Sequence, residues 1–198
     1  MNYFAVDTET TGFVDPYPIE IAAVRVQDNG ESGVKFYKRI KALKNIHERA
    51  SLIHKIYDSD LIHEKDEKTI LEEFINFLSM YSKNNKIVLI AHNAAYDKKV
   101  IECAMKRHSL NFPFEVDWQC TMNMAKKMHE GKGCRQKFTL GNLCVEKNIR
   151  CENAHQALAD AIMCASLYNS FFKPTPEQEE LDNVLDCVNK EMYTENTI

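Results

Sequence analysis

Four acidic positions spread along the chain constrain what it can fold into. Asp7 and Glu9 close an apolar run, in Phe4-Ala5-Val6-Asp7-Thr8-Glu9-Thr10-Thr11-Gly12. Residues two apart on a strand point to one face, so these two carboxylates sit side by side. Neighbouring like charges repel unless a proton or a cation lies between them. Asp97 follows a second apolar run through Ile90-Ala91-His92-Asn93-Ala94-Ala95-Tyr96. Asp160 stands in a helical pattern with Ala157, Ala161, Cys164 and Ala165, five positions after His155. Taken singly, each acid has an ordinary explanation. A strand end carries solvated acids, and a helix N-terminus favours one through its macrodipole. An aspartate beside an apolar helix face, however, costs free energy unless it is paired or ligating.

The segments between these acids suggest how they meet. Residues 3–8 read as a buried strand, Ile19–Val26 as a second and Gly33–Ile40 as a third. Asp15-Pro16 and Asp28-Asn29-Gly30 are turn formers, so an antiparallel meander is expected. Ile70, Leu71, Phe74, Ile75, Phe77 and Leu78 recur at helical spacing over Thr69–Tyr81. A strand over Lys86–Ala91 follows an Asn84-Asn85 turn, then a helix opening at Asp97 and a short strand over Phe114–Trp118. Three more helical patterns cover Thr121–His129, Thr139–Lys147 with Thr139 as N-cap, and His155–Phe172. Lys173-Pro174-Thr175-Pro176 breaks the last. This order predicts an α/β domain with a mixed sheet over residues 1–173. Beyond it, residues 174–198 form an acidic extension, expected to be helical, with Leu181, Val184, Leu185 and Val188 on one face.

Composition bears on compartment and charge. Seven cysteines, odd in number and without a Cys-x-x-Cys pair, suit a reducing cytoplasmic interior with free thiols. A zinc site built from Cys134, Cys144, Cys151 and His129 would match no standard spacing. No apolar run is long enough to cross a bilayer, and no membrane partner is expected. The net charge is −4, unusual for a nucleic-acid binder. The extension after Lys173 holds seven acids against Lys190 alone, which leaves the rest of the chain at +2.

The acids and His155 supply hard oxygen ligands for divalent cations and a general base for water. That set implies phosphodiester hydrolysis. The three blocks resemble the three exonuclease motifs of the DnaQ-like family, 3′→5′ exonucleases of the ribonuclease H-like fold. Asp7 and Glu9 match the first motif, Asp97 the second, and His155 with Asp160 the third. The His-x4-Asp spacing selects the histidine (DEDDh) subtype. Ile53-His54-Lys55-Ile56 is similar to the family's histidine-glycine-isoleucine segment, with Lys55 replacing the glycine. Cys120-Thr121-Met122 and Ala125-Lys126-Lys127 are similar to the branch of bacterial exodeoxyribonuclease X and DNA polymerase III epsilon.

The resemblance implies a central five-stranded mixed sheet and two Mg²⁺ or Mn²⁺ ions held by Asp7, Glu9, Asp97 and Asp160. It implies His155 as general base and release of nucleoside 5′-monophosphates from the 3′ end of DNA or RNA, with DNA preferred. Thr8, Thr10, Thr11, Gly12, Phe13, His92 and Tyr96 are the expected substrate contacts. Phe13 stands where family members carry a leucine wedged between the last two bases. The alternatives are an RNA-trimming or oligoribonuclease-type activity, and a non-catalytic nucleic-acid-binding module. A polymerase partner and self-association are left open.

Overall fold

In the computed structural model, residues 2–27, 33–82, 86–130, 138–151 and 155–172 are described. The acidic extension, the Asp28-Asn29-Gly30 and Asn84-Asn85 turns, and Cys134 lie outside them. Five strands form one sheet: β1 (Asn2–Thr10), β2 (Pro18–Arg25), β3 (Lys35–Arg39), β4 (Lys86–Ala91) and β5 (Glu115–Cys120). Their spatial order is β3-β2-β1-β4-β5. β1 pairs antiparallel with β2 and parallel with β4, so the sheet is mixed as expected. The helices are α1 (Glu48–His54), α2 (Glu67–Ser79), α3 (Ala94–Arg107), α4 (Thr121–Met128), α5 (Leu140–Glu146) and α6 (Ala157–Ser170).

Alternation along the strands divides the core into two layers. Phe4, Val6, Ile21, Ala23, Ile87 and Leu89 face α2 and α3, where Phe74, Leu78 and Ile101 meet them. Ala5, Ala22, Val24, Val88 and Ile90 face α6, which presents the small side chains of Ala157, Ala161, Cys164 and Ala165. These small residues let α6 lie close on the sheet and bring its N-terminus to the C-terminal end of β1. A buried carboxylate ties α2 to α3. Glu67 accepts from Arg107 at 2.6 and 3.1 Å and pairs with His108 at 2.8 Å. The same Arg107 guanidinium stacks 4.0 Å over the Tyr17 ring, which anchors the β1–β2 connection.

Three elements depart from the sequence expectation. The third helix begins at Ala94, not Asp97, because Asn93 turns the chain in the left-handed region at φ 63° and frees the next three residues to be helical. Asp97 therefore sits in the first turn rather than at its start. Helix α1 has no amphipathic signature, since Leu52 and Ile53 are exposed while Ala50, Ser51 and His54 are buried. The last helix begins at Ala157, and His155 precedes it at φ 66°. Thr139 caps α5 as expected, accepting from the Asn142 N–H at 3.3 Å.

Candidate active site

β1 delivers two kinds of side chain to its C-terminal end. Asp7 and Glu9 point to the α6 face, while Thr8 and Thr10 point to the α3 face. On the α6 side, ligand atoms of Asp7, Glu9 and Asp160 all lie within 4.8 Å of one another. On the α3 side, the Thr8 backbone N–H and hydroxyl both donate to Asp97 Oδ1, at 3.0 and 2.8 Å. Thr8 thus holds the fourth carboxylate beside the other three. The His155 backbone N–H donates to Asp160 Oδ2 at 3.2 Å, which joins the two third-motif residues.

The four acids resist ionisation together. Burial, reinforced by Asp97, Asp160 and Glu9, holds the Asp7 carboxyl well above the usual carboxylate range. Glu9 is pushed up to about 8, first by burial and then by Asp160. Asp97 rises to about 7 through burial, although its Thr8 hydrogen bonds pull the other way. Asp160 is also raised by burial, with its His155 contacts opposing. Among the described residues no lysine or arginine lines this cluster, and it is suited to a divalent cation: the donors are hard oxygens, and a cation offsets the burial and repulsion that raise them.

A cleft of about 280 Å³ opens over this cluster, lined by Asp7, Thr8, Glu9, Thr10, Gly12, Phe13, Tyr96, His155 and Asp160 and closed from the α1 side by Ala50, Ile53 and His54. Phe13 is 70% exposed at the rim, so it is not a packing residue. Thr10 Oγ1 shares a 2.8 Å hydrogen bond with the Tyr96 hydroxyl and also donates to Gly12 O at 3.1 Å. Gly12 adopts φ +155°, and a Cβ there would lie 3.3 Å from that of His47. A larger residue would be strained at this backbone angle, and His47 would have to give by a few tenths of an ångström.

Two expected contacts do not reach the cleft. Thr11 is buried in the loop, where its hydroxyl accepts from the Tyr17 N–H and its carbonyl from the His47 N–H. His92 is spent on the fold. Its Nε2 lies 2.9 Å from the Phe138 carbonyl, which can only accept, so Nε2 carries the proton. Nδ1 then accepts from the Thr121 hydroxyl at 3.0 Å. His129, imagined as a zinc ligand, is likewise engaged with Ala125 O and Glu146.

Two polar residues to which the sequence assigns no site role also lie around the cluster. Glu20, 1% exposed, lies directly across from Glu9 in the β1–β2 pairing. Its signal was a lone acid inside the otherwise apolar segment from Ile19 to Val24. His54 faces the cleft from the end of α1, an element without a hydrophobic period. Its Nδ1 accepts from the Ile56 N–H at 3.1 Å, and burial lowers its pKa.

Residues 4–168 match a family model described as Exonuclease. The chain is 32% identical over 180 residues to the DNA polymerase III subunit epsilon of Buchnera aphidicola subsp. Schizaphis graminum, covering 84% of this chain and 71% of that protein. It is 29% identical to the Rickettsia prowazekii epsilon subunit, over 92% of this chain and 82% of that one. Among solved structures, exonuclease X in complex with 5′ overhanging duplex DNA superposes with a TM-score of 0.65 at 24% identity, over 89% of this chain and 96% of that one. The nuclease domain of 3′hExo, a DEDDh family member bound to rAMP, gives a TM-score of 0.72 at 14% identity, over 85% and 90%. Exonuclease I gives 0.75 at 16% identity, over 91% of this chain but only 42% of that larger protein. At these identities the structural likenesses speak for the α/β fold. With the family model spanning most of the sequence, the chain belongs to the exonuclease family, as a DnaQ-like 3′→5′ exonuclease.

Proposed function

We propose that this exonuclease removes nucleotides one at a time from the 3′ end of DNA as nucleoside 5′-monophosphates, using Mg²⁺ or Mn²⁺ held by Asp7, Glu9, Asp97 and Asp160. The observation that carries this reading is the mutual approach of Asp7, Glu9 and Asp160 within 4.8 Å, with Asp97 braced beside them by Thr8. When bound, the two cations supply activation of the attacking water and stabilisation of the leaving 3′-oxygen. Asp7 and Glu9 fix the site to the rigid sheet, and Asp160 closes it from α6. His155, exposed at the mouth of the cleft and tied to Asp160 through its backbone, takes the proton of the attacking water. Phe13 stacks on the terminal base from the rim, while Thr10, Gly12 and Tyr96 shape the floor under the sugar. Thr8 acts through Asp97, and His92 acts by joining the end of β4 to α4 and the start of α5.

The preference for DNA, and a DNA polymerase as protein partner, draw support from the relatives named as subunits of DNA polymerase III. The acidic extension from Pro174 onward is read as separate from the exonuclease domain. Among the described residues no helix is long and apolar enough to cross a membrane. The test is degradation of matched 5′-labelled DNA and RNA oligomers, single-stranded and duplex, with Mg²⁺ or EDTA. Mononucleotide release from DNA, lost in EDTA and in Asp7→Ala and His155→Ala, is expected. If both variants degrade as fast as the parent, the site assignment is wrong. Faster release from RNA overturns the substrate preference.

A further inference from the structure

Helix α6 carries Asp160 and follows directly on His155, yet its own N-cap residue, Gln156, makes no side-chain capping hydrogen bond. The first N–H groups of a helix have no partner within it, and a buried one needs an acceptor from elsewhere. At α6 that acceptor comes from across the molecule. The Ala157 N–H donates to Glu20 Oε2 at 3.3 Å, 137 positions away in sequence. The other carboxylate oxygen is held from the opposite side. Glu20 Oε1 accepts from the Tyr37 hydroxyl at 2.6 Å and from Arg39 Nε at 2.9 Å, both on edge strand β3. Arg39 pairs with Glu20 across β2 and β3, as Glu9 does across β1 and β2.

We propose that Glu20 is a positioning residue of the active site: its carboxylate, braced by Tyr37 and Arg39, caps α6 and thereby sets Asp160 and His155 against Asp7 and Glu9. The negative charge placed at a helix N-terminus is favoured by the helix dipole, and all its hydrogen bonds are charge-assisted. Glu20 is buried behind the first-motif acids and does not line the cleft. Its influence on the reaction runs through α6. Arg39, on the far side of Glu20, is part of the same device, although neither it nor Tyr37 lines the cleft. Burial and the adjoining Glu20 carboxylate together raise the Tyr37 hydroxyl to about 12, as expected for a phenol fixed as a donor.

The inference rests on the reading of Asp160 and His155 as site residues, and its test separates the two. The full chain is compared with Glu20→Gln, Arg39→Met and, as a control on the same strand, Lys38→Met. The first readout needs neither metal nor substrate: hydrogen exchange at the Ala157 amide in EDTA. Removing its charged acceptor, or the brace behind it, is expected to speed exchange about tenfold in both variants and not in the control. The second is Mn²⁺ affinity, measured by electron paramagnetic resonance. Positioning predicts that both variants bind Mn²⁺ more weakly. A purely electrostatic role predicts opposite signs, because Arg39→Met removes a nearby positive charge and would tighten binding. The third is the kcat and KM split on a DNA oligomer, where kcat falls about tenfold and KM moves by less than about twofold. Unchanged exchange at Ala157 in Glu20→Gln, or tighter Mn²⁺ with full kcat in Arg39→Met, overturns the proposal. Should the parent enzyme release no nucleotide, the proposed function fails, while exchange and Mn²⁺ affinity still decide this inference.

Discussion

The clustered carboxylates make the metal-free protein sensitive to base. Asp97 is pushed from an ordinary 3.8 to about 7, and Glu9 from 4.5 to about 8, mainly by burial. The folded state therefore keeps protons that the unfolded chain releases. Stability falls with pH wherever the folded state binds more protons than the unfolded state. The contribution of these groups is fully present below about pH 4 and is lost progressively as pH rises to about 7 or 8. Each pH unit of displacement corresponds to about 1.4 kcal/mol, so the Asp97 displacement bounds its own share at roughly 4 kcal/mol. With residual hydration at the cleft, a loss of roughly 2–4 kcal/mol is expected across the window. For a chain of this size that lowers Tm by on the order of 5–10 °C. The assay is thermal unfolding in EDTA at about pH 5 and about pH 8, for the parent and Asp97→Asn. The side-chain amide introduced by that substitution would still accept from Thr8 but carries no charge, so the pH-dependent drop should shrink. Mn²⁺ added at the higher pH should restore the parent and do little for the variant. A parent no more pH-sensitive than Asp97→Asn would refute the reasoning.

Other outcomes follow from single positions. Lys55 ends α1 in the left-handed region at φ 60°, which costs a non-glycine residue roughly 1–2 kcal/mol. Lys55→Gly is expected to stabilise the protein by about 1 kcal/mol after the added chain entropy, read as a rise in Tm of about 2–4 °C. An unchanged or lowered Tm would mean the strain is not there. Phe13→Ala should leave Tm unaltered, since the ring is exposed, but should raise KM roughly tenfold by removing one base stack. Phe13→Trp should restore it, and a KM unaffected by either change would remove Phe13 from the substrate path.

Much of the candidate site is legible in the sequence because its residues violate their surroundings. Asp7, Glu9 and Asp160 are acids attached to apolar elements, and such positions are expensive without a shared purpose. Strand β4 was read with its observed boundaries because Lys86–Ala91 is a short apolar run between a turn and a helix. The departures from the sequence pattern have physical causes. Asn93 in the left-handed region starts α3 three residues ahead of Asp97, and nothing in a hydrophobic period registers a backbone angle. Helix α1 escaped notice because it exposes Leu52 and Ile53, so packing against Ile19, Ile46 and Ile56 decides its conformation. His92 and Thr11 flank site residues in sequence but spend their polar atoms on neighbouring loops, a distinction that needs the partners' positions. Glu20 was visible as an anomaly, an acid within a buried strand. Its meaning depended on where α6 begins, far along the chain.

Asp7, Glu9, Asp97 and Asp160 are proposed to act together as ligands for divalent cations. Direct counting of bound Mn²⁺ by electron paramagnetic resonance, in the parent and in Asp7→Asn at neutral pH, tests it without substrate or turnover. Two Mn²⁺ per parent chain are expected, and the loss of at least one in the variant. A parent that binds no Mn²⁺, or a variant that binds it as the parent does, would contradict it.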